Sequence, residues 1–263
     1  MAHLFGTFFS KELARPVHYT AVLCNDNAWL NPENPHYKRS TKNVYLLHGY
    51  SGCDNDWFTN APLGDLANEF NVNFFMPNGD NSFYLDGAAT GFKYCTYVGK
   101  EFVEYTRKTF GLSDKAEDTF IGGLSMGGFG ALHTALAYPE TFSKTIALSS
   151  ALIVNGIKNM PENTGNGVAN TAYYTQMFGD LSKLDGSENN PEYLVTKLIE
   201  EGKKLPDIFM AIGTEDFLYM PNQEFKKFLE SKKVDFTYME GPGIHDFNFW
   251  RTWLRKGLEW AVK

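Results

Sequence analysis

The segment Thr119-Phe-Ile-Gly-Gly-Leu-Ser-Met-Gly-Gly-Phe-Gly130 constrains the fold more than any other stretch of this chain. An apolar, β-favouring run from Thr119 to Ile121 leads into Gly123-Leu-Ser-Met-Gly127, a G-x-S-x-G pattern. A small-residue helical pattern from Met126 to Ala137 leads out of it, and Pro139 closes that helix. A strand that turns directly into a helix places the central serine at the apex of a strained turn with its hydroxyl exposed. Gly123 and Gly127 remove the side chains that would collide where strand and helix approach each other. By average composition the pattern arises by chance in about one chain of this length in ten. Its weight therefore comes from the local context and from the partners downstream.

The rest of the chain alternates between short apolar runs and helical patterns. Strands are expected at Val17–Leu23, Asn43–Leu47, Val72–Met76, Asp118–Gly122, Thr145–Leu148, Asp207–Ile212 and Asp235–Met239. Several are continuous hydrophobic runs, as strands buried on both faces should be. Thr96–Phe110 reads as a helix ending at Gly111, and Asn190-Pro191 opens another, with Asn as cap and Pro in the first position. The last helix carries Trp250, Trp253, Leu254, Gly257, Leu258 and Ala261 at i, i+3, i+4, i+7 spacing, a core-facing stripe. Alternating elements of this kind build βαβ units and a mostly parallel sheet with helices on both faces. We expect one α/β domain over residues 1–263. The interval Ile153–Asn190, rich in Asn and Gly and carrying Tyr173, Tyr174 and Phe178, exceeds an ordinary loop. It reads as an inserted cap region over the C-terminal edge of the sheet, where open α/β folds bind their ligands.

Composition narrows the function classes. A net charge of -7 argues against nucleic acid as a partner, because phosphate binding needs a basic field. The three cysteines, Cys24, Cys53 and Cys95, lack CxxC spacing, so neither a zinc site nor a disulfide framework is expected, and no metal or cofactor is implied. No run approaches the ~18 apolar residues of a membrane span. The N-terminus lacks a basic n-region and a long apolar run, so a cytoplasmic location is expected, or a secreted one if a leader precedes this sequence.

A serine hydroxyl becomes a useful nucleophile only when a base removes its proton, and the base needs a carboxylate to orient it. Chain order supplies both. The strand Asp207–Ile212 is followed by Gly213-Thr-Glu-Asp216, which offers Asp216 as the acid, with Glu215 as the rival if the register slips by one residue. The next strand is followed by Glu240-Gly-Pro-Gly243 and then His245, a Gly/Pro loop that returns an imidazole over the sheet. Asp246 is adjacent to His245 and is expected to point elsewhere. His133 lies about two turns along the helix after Ser125 and so points away from the apex. His48 ends a strand in Leu46-Leu-His-Gly49 and reads as a structural hydrogen-bonder. An oxyanion needs two preorganised N–H groups. Met126, directly after Ser125, supplies one. Gly49-Tyr50-Ser51-Gly52 supplies the other, from Tyr50 or, as runner-up, Ser51.

With these residues placed, the chain resembles the serine esterases of carbohydrate esterase family 1, which includes feruloyl and acetylxylan esterases and is related to tributyrin esterases and S-formylglutathione hydrolases. The matching tracts are Tyr45-Leu-Leu-His-Gly-Tyr-Ser-Gly52, Met76-Pro-Asn-Gly-Asp80, Gly123-Leu-Ser-Met-Gly-Gly128, Gly213-Thr-Glu-Asp216 and His245-Asp-Phe-Asn-Phe-Trp250. The resemblance implies an α/β-hydrolase fold, the triad Ser125, Asp216 and His245, and oxyanion donors at Tyr50 and Met126. It also places Trp57 and the loop Ser82-Phe-Tyr-Leu-Asp86 near the substrate pocket. Leu124 stands where S-formylglutathione hydrolases usually carry His, and their typical cysteine falls one place before Cys53. Secreted cell-wall esterases usually show a leader and often a carbohydrate-binding module, and neither is seen here.

These residues lead us to expect a carboxylic-ester hydrolase acting on a small-molecule or oligosaccharide ester, with feruloyl esters first. Tyr50, Trp57, Tyr84, Tyr173, Tyr174 and Phe178 are the candidates for an aromatic acyl slot. The alternatives are a short-acyl or acetyl esterase, then an S-formylglutathione hydrolase. A non-catalytic hydrolase-fold binding protein is the reading from another class, and such proteins usually lack a triad member.

Overall fold

A computed structural model describes residues 1–24 and 32–263. Its strands are β1 (Ala2–Ser10), β2 (Arg15–Leu23), β3 (Lys42–Leu47), β4 (Val72–Pro77), β5 (Thr119–Leu124), β6 (Lys144–Leu148), β7 (Asp207–Gly213) and β8 (Thr237–Gly241). They form one sheet in the order β1-β2-β4-β3-β5-β6-β7-β8. The pairs β3/β4, β3/β5, β5/β6, β6/β7 and β7/β8 are parallel, while β1/β2 and β2/β4 are antiparallel. Every residue of β4 and β5 is buried, which accounts for their unbroken apolar runs.

Two apolar layers flank the sheet. On one face pack the helices Phe102–Phe110, Met126–Ala137, Pro191–Glu200 and Tyr219–Ser231, through residues such as Phe102, Phe129, Leu194 and Phe225. On the other pack Leu63–Phe70 and Phe247–Ala261, through Leu66, Trp250, Trp253 and Leu258. The tryptophan stripe of the last helix is therefore core, as its spacing predicts. Asn190 caps Pro191–Glu200 by accepting the Glu192 N–H, and Gly111 ends Phe102–Phe110 in the left-handed region at φ 64°.

Several boundaries differ from the sequence expectation: β2 begins two residues earlier and β5 ends two residues later. β1 is absent from the expected strands because phenylalanine occupies both its faces. Phe8 turns inward to stack on Tyr105 at 4.1 Å, while Phe5 and Phe9 are exposed, so period-two polarity is erased. The last strand runs two residues later than expected, since its ladder places Gly241 opposite Gly213. The expected helix Thr96–Phe110 begins instead with a short turn at Tyr94–Thr96 and a π-helical turn at Tyr97–Glu101.

Candidate active site

Three loops at the C-terminal ends of β5, β7 and β8 meet at one point. Ser125 sits between β5 and its helix with φ 55° and ψ −120°, a strained backbone for a residue that is not glycine. Packing imposes that conformation. A Cβ on Gly127 would lie 2.3 Å from the Leu47 carbonyl oxygen, and one on Gly123 would lie 2.3 Å from the Gly127 oxygen. Only glycine lets the helix close onto β3 and β5. The Ser125 N–H donates to Leu148 O at 2.9 Å, and its carbonyl accepts the Ala151 N–H at 2.9 Å.

After β7, the turn Gly213-Thr214-Glu215-Asp216 closes through Asp216 N–H to Gly213 O at 3.1 Å. The Asp216 side chain is fully buried, whereas that of His245 is 18% exposed. His245 Nδ1 lies 2.8 Å from Asp216 Oδ2, and His245 Nε2 lies 2.9 Å from Ser125 Oγ. Burial pushes the Asp216 carboxyl upward, but hydrogen bonds from His245 and the Leu218 N–H outweigh it, so its pKa ends below the ordinary value. An ionised carboxylate only accepts, so Nδ1 carries the imidazole proton and Nε2 presents its lone pair to the serine hydroxyl.

Glu215 is not in this line. Its carboxylate accepts the Gly243 N–H at 2.6 Å and so staples the loop that carries His245. Asp246 caps the helix Phe247–Ala261 by accepting the Phe249 N–H at 3.0 Å. His133 lies elsewhere, buried with Nε2 on Glu188 O at 2.8 Å. His48 is buried and bridges two loops, with Nδ1 on Gly49 O at 2.8 Å and Nε2 accepting the Gly79 N–H at 2.9 Å.

The loop after β3 runs alongside the serine, since a Cβ on Gly49 would come within 3.5 Å of Ser125 Cβ. The Ser51 N–H is taken up by Asn81 Oδ1 at 2.7 Å, which leaves Tyr50 the better oxyanion donor of the two. Met126 begins the helix after Ser125, where N–H groups have no partner one turn back.

The expected six-ring aromatic slot is corrected by the structure. Trp57, Tyr84, Tyr174 and Phe178 are each no more than 1% exposed, so none touches a substrate in this conformation. Trp57 donates its indole N–H to Leu47 O at 3.0 Å, and Tyr84 donates its hydroxyl to His48 O at 3.1 Å. Phe178 packs on Phe83 and Phe129 at 4.9 and 5.6 Å. These rings hold the loops under the site. Only Tyr50 and Tyr173 are half-exposed, in an edge contact at 5.7 Å, with the Tyr173 hydroxyl donating to Asn81 O at 2.6 Å. Residues 153–190 thus reach the Tyr50 loop through Tyr173. On the side of the imidazole stand exposed Phe217, with its ring 4.6 Å from that of His245, and exposed Ile244.

Sequence reasoning gave no role to Asn81, Ser149 or Phe217. Asn81 and Ser149 act through folded-state hydrogen bonds that leave no spacing pattern. Phe217, directly after Asp216, carried a signal only as an apolar residue in a polar turn. Among the described residues no cluster of three or more His, Cys, Asp or Glu could hold a metal, and no helix is long and apolar enough to cross a membrane. Cys24 and Cys95 are buried, Cys53 is exposed, and all three are free thiols.

Comparison with known proteins agrees with this architecture. An acetyl esterase of Caldicellulosiruptor saccharolyticus is 40% identical over 263 residues, covering 100% of this chain and 99% of that one. The substrate-bound structure of the fluorophosphonate-binding serine hydrolase FphF of Staphylococcus aureus superposes with a TM-score of 0.85 at 29% identity, covering 100% of this chain and 98% of that chain. The S-formylglutathione hydrolase FrmB of Staphylococcus aureus follows with a TM-score of 0.83 at 28% identity, covering 100% and 99%. The family model described as "Putative esterase" matches residues 27–261. The chain therefore belongs to this esterase family, within the α/β-hydrolase superfamily, and is an esterase of the serine hydrolase type.

Proposed function

We propose that the protein hydrolyses carboxylic esters of short acyl groups, acetyl first, through an acyl-enzyme on Ser125. The observation that carries this is the hydrogen-bonded line Ser125–His245–Asp216 at 2.9 and 2.8 Å, at the end of a strained turn. As Ser125 Oγ attacks the ester carbonyl carbon, its proton passes to His245 Nε2. The carbonyl oxygen takes up negative charge facing the Tyr50 and Met126 N–H groups. Collapse of this intermediate breaks the bond to the alkoxy oxygen, which leaves with the proton held on Nε2. Water then repeats the sequence, giving its proton to Nε2, releasing the carboxylic acid and restoring the serine. Asp216 stays ionised throughout and stabilises the imidazolium.

The short-acyl assignment rests on burial. Four of the six rings expected to clasp a feruloyl group are in the core, and the acetyl esterase relative matches end to end. The half-exposed Tyr50–Tyr173 pair is the one observation that favours an aromatic acyl group, so the same assay must include one.

Wild type and Ser125→Ala are compared on p-nitrophenyl acetate and butyrate, methyl ferulate and S-formylglutathione. The variant is expected to lose several orders of magnitude in kcat with its fold intact, and to escape labelling by a fluorophosphonate that labels wild type. Undiminished turnover in Ser125→Ala would end the mechanism. A kcat/KM for methyl ferulate above that for the acetate would overturn the short-acyl assignment alone.

A further inference from the structure

The loop after β3 carries a strained turn. Gly49 O accepts the Gly52 N–H at 3.1 Å, and Ser51 between them has φ 64° while Tyr50 keeps a negative φ. This is a type II turn, whose third position ordinarily falls to glycine. Types I and II differ in the orientation of the central peptide, here the one joining Tyr50 to Ser51, and a serine left to itself favours type I. The peptide is held by a side chain from another loop: the Ser51 N–H donates to Asn81 Oδ1 at 2.7 Å.

Asn81 is itself firmly placed. It sits in the loop after β4, where Asp80, Phe83 and Tyr84 have φ of 45°, 53° and 54°. Left-handed residues other than glycine, so close together, persist only where their surroundings over-determine them. Those surroundings are specific. The Gly79 N–H donates to His48 Nε2 at 2.9 Å, the Tyr84 hydroxyl to His48 O at 3.1 Å and the Ser82 hydroxyl to Gly79 O at 2.6 Å. The Asp80 carboxylate accepts the Tyr94 hydroxyl at 2.7 Å and pairs with Arg15. The Tyr173 hydroxyl donates to Asn81 O at 2.6 Å. The loops after the neighbouring strands β3 and β4 are thus joined at His48 and again at Asn81, with Tyr173 of residues 153–190 bracing the second junction.

We propose that Asn81 is a positioning residue: its carboxamide oxygen holds the Tyr50–Ser51 peptide so that the Tyr50 N–H keeps the orientation that receives the oxyanion. The proposal rests on the reading of Ser125 as nucleophile and Tyr50 as oxyanion donor. Asn81 occupies the Ser51 N–H, while the Tyr50 N–H donates to no acceptor among the described residues. The head of the turn lies against the nucleophile, since a Cβ on Gly49 would stand 3.5 Å from Ser125 Cβ, so a rotation in the turn is felt at the site. Without the clasp the turn relaxes toward type I by rotating the Tyr50–Ser51 peptide, which displaces Tyr50 from the developing charge. Removal of one exposed hydrogen bond of this kind changes a rate by about 3- to 10-fold.

The test uses Asn81→Ala, Ser51→Gly and their combination, with two readouts. On p-nitrophenyl acetate, Asn81→Ala should reduce kcat about 3- to 10-fold with KM within about twofold, because the loss falls on the transition state. The second readout is the inhibition constant of ethylboronic acid, whose tetrahedral adduct on Ser125 carries an oxygen where the oxyanion would stand. It should rise by about the same factor as kcat falls. Glycine takes up the left-handed conformation at position 51 without strain, so adding Ser51→Gly to Asn81→Ala should restore most of both losses. Tyr173→Phe keeps the ring and removes only the hydroxyl that braces Asn81, and should move both readouts the same way by less. An unchanged boronate constant in Asn81→Ala overturns the proposal, whether kcat is intact or falls together with thermal stability, and so does a loss that Ser51→Gly leaves untouched. If Asn81→Ala does not fold, Tyr173→Phe decides alone by the boronate constant. Undiminished turnover in Ser125→Ala would instead overturn the serine mechanism on which the proposal stands.

Discussion

Two adjacent carboxylates, Glu215 and Asp216, illustrate how one residue of register separates chemistry from support. Both follow β7, and both are held below their ordinary carboxyl pKa by hydrogen bonds. Their exposure differs: Glu215 is at the surface, whereas the Asp216 side chain is fully buried against the imidazole. Asp216→Asn would place an amide opposite Nδ1 and favour the wrong tautomer, leaving no lone pair at Nε2 for the serine proton. We expect kcat to fall by on the order of 10³- to 10⁴-fold with KM nearly unchanged. Glu215→Gln keeps an oxygen for the Gly243 N–H and should cost less than about tenfold. A reversed order of the two effects in steady-state kinetics would place the acid at Glu215. The hydrogen-bonded line Ser125–His245–Asp216, proposed as nucleophile, base and acid, was legible in the sequence as a set of candidates because each residue follows a recognisable run, apolar strand then Gly-containing turn. Asn81 was not, because its contacts with the Ser51 N–H and the Tyr173 hydroxyl join segments far apart in the chain and leave no spacing pattern.

At the scale of elements, central strands were legible, whereas of the two edge strands β1 was missed and β8 was placed two residues too early. β3 to β7 are buried runs whose composition alone marks them, while β1 mixes Phe on both faces and β8 is set by its ladder to β7. Aromatic residues misled for a related reason. A tyrosine reads the same whether its ring lines a pocket or fills a slot between glycines. Tyr84 does the latter, against Gly79 and Gly130, where an added Cβ would fall 2.1 and 2.3 Å from its ring. The helix Thr171–Phe178 shows both cases within two turns: Tyr173 is half-exposed beside Tyr50, while Tyr174 and Phe178 are buried. Tyr173→Ala is therefore expected to change selectivity, lowering kcat/KM for methyl ferulate by up to about tenfold relative to p-nitrophenyl acetate, the worth of one aromatic contact. Phe178→Ala should lower stability by about 3–5 kcal/mol, measured by chemical denaturation, and affect both substrates alike in the fraction that remains folded. Equal losses on both substrates for Tyr173→Ala would make it a structural residue as well.

Across the whole molecule, two buried histidines tie the lower loops to the sheet and make stability depend on pH. His48 joins Gly49 to Gly79, and His133 joins its helix to Glu188 and contacts Cys95. Burial, only partly offset by their backbone hydrogen bonds, lowers both from the ordinary value of 6.5, so both are neutral in the folded protein near pH 7. The unfolded chain takes up these protons first as pH falls through about 6.5, while the folded chain resists until lower pH. Stability present above pH 6.5 is therefore lost progressively toward the folded values. The lowered carboxyls of Asp118 and Asp216 act in a separate window, where their contribution persists above about 3.8 and is lost only as pH falls further. Melting temperatures should thus begin to fall as pH drops through about 6.5, above the window in which Asp118 and Asp216 are protonated. His133→Gln keeps a donor for Glu188 O and removes one titrating group, so its melting temperature should decline less over that fall in pH than that of wild type. His133 lies outside the line from Ser125 to Asp216, so activity at pH 8 should be retained, which separates the stability effect from the chemistry. An identical decline in wild type and variant would mean that His133 does not resist protonation in the folded state, and that the acid sensitivity arises elsewhere in the molecule.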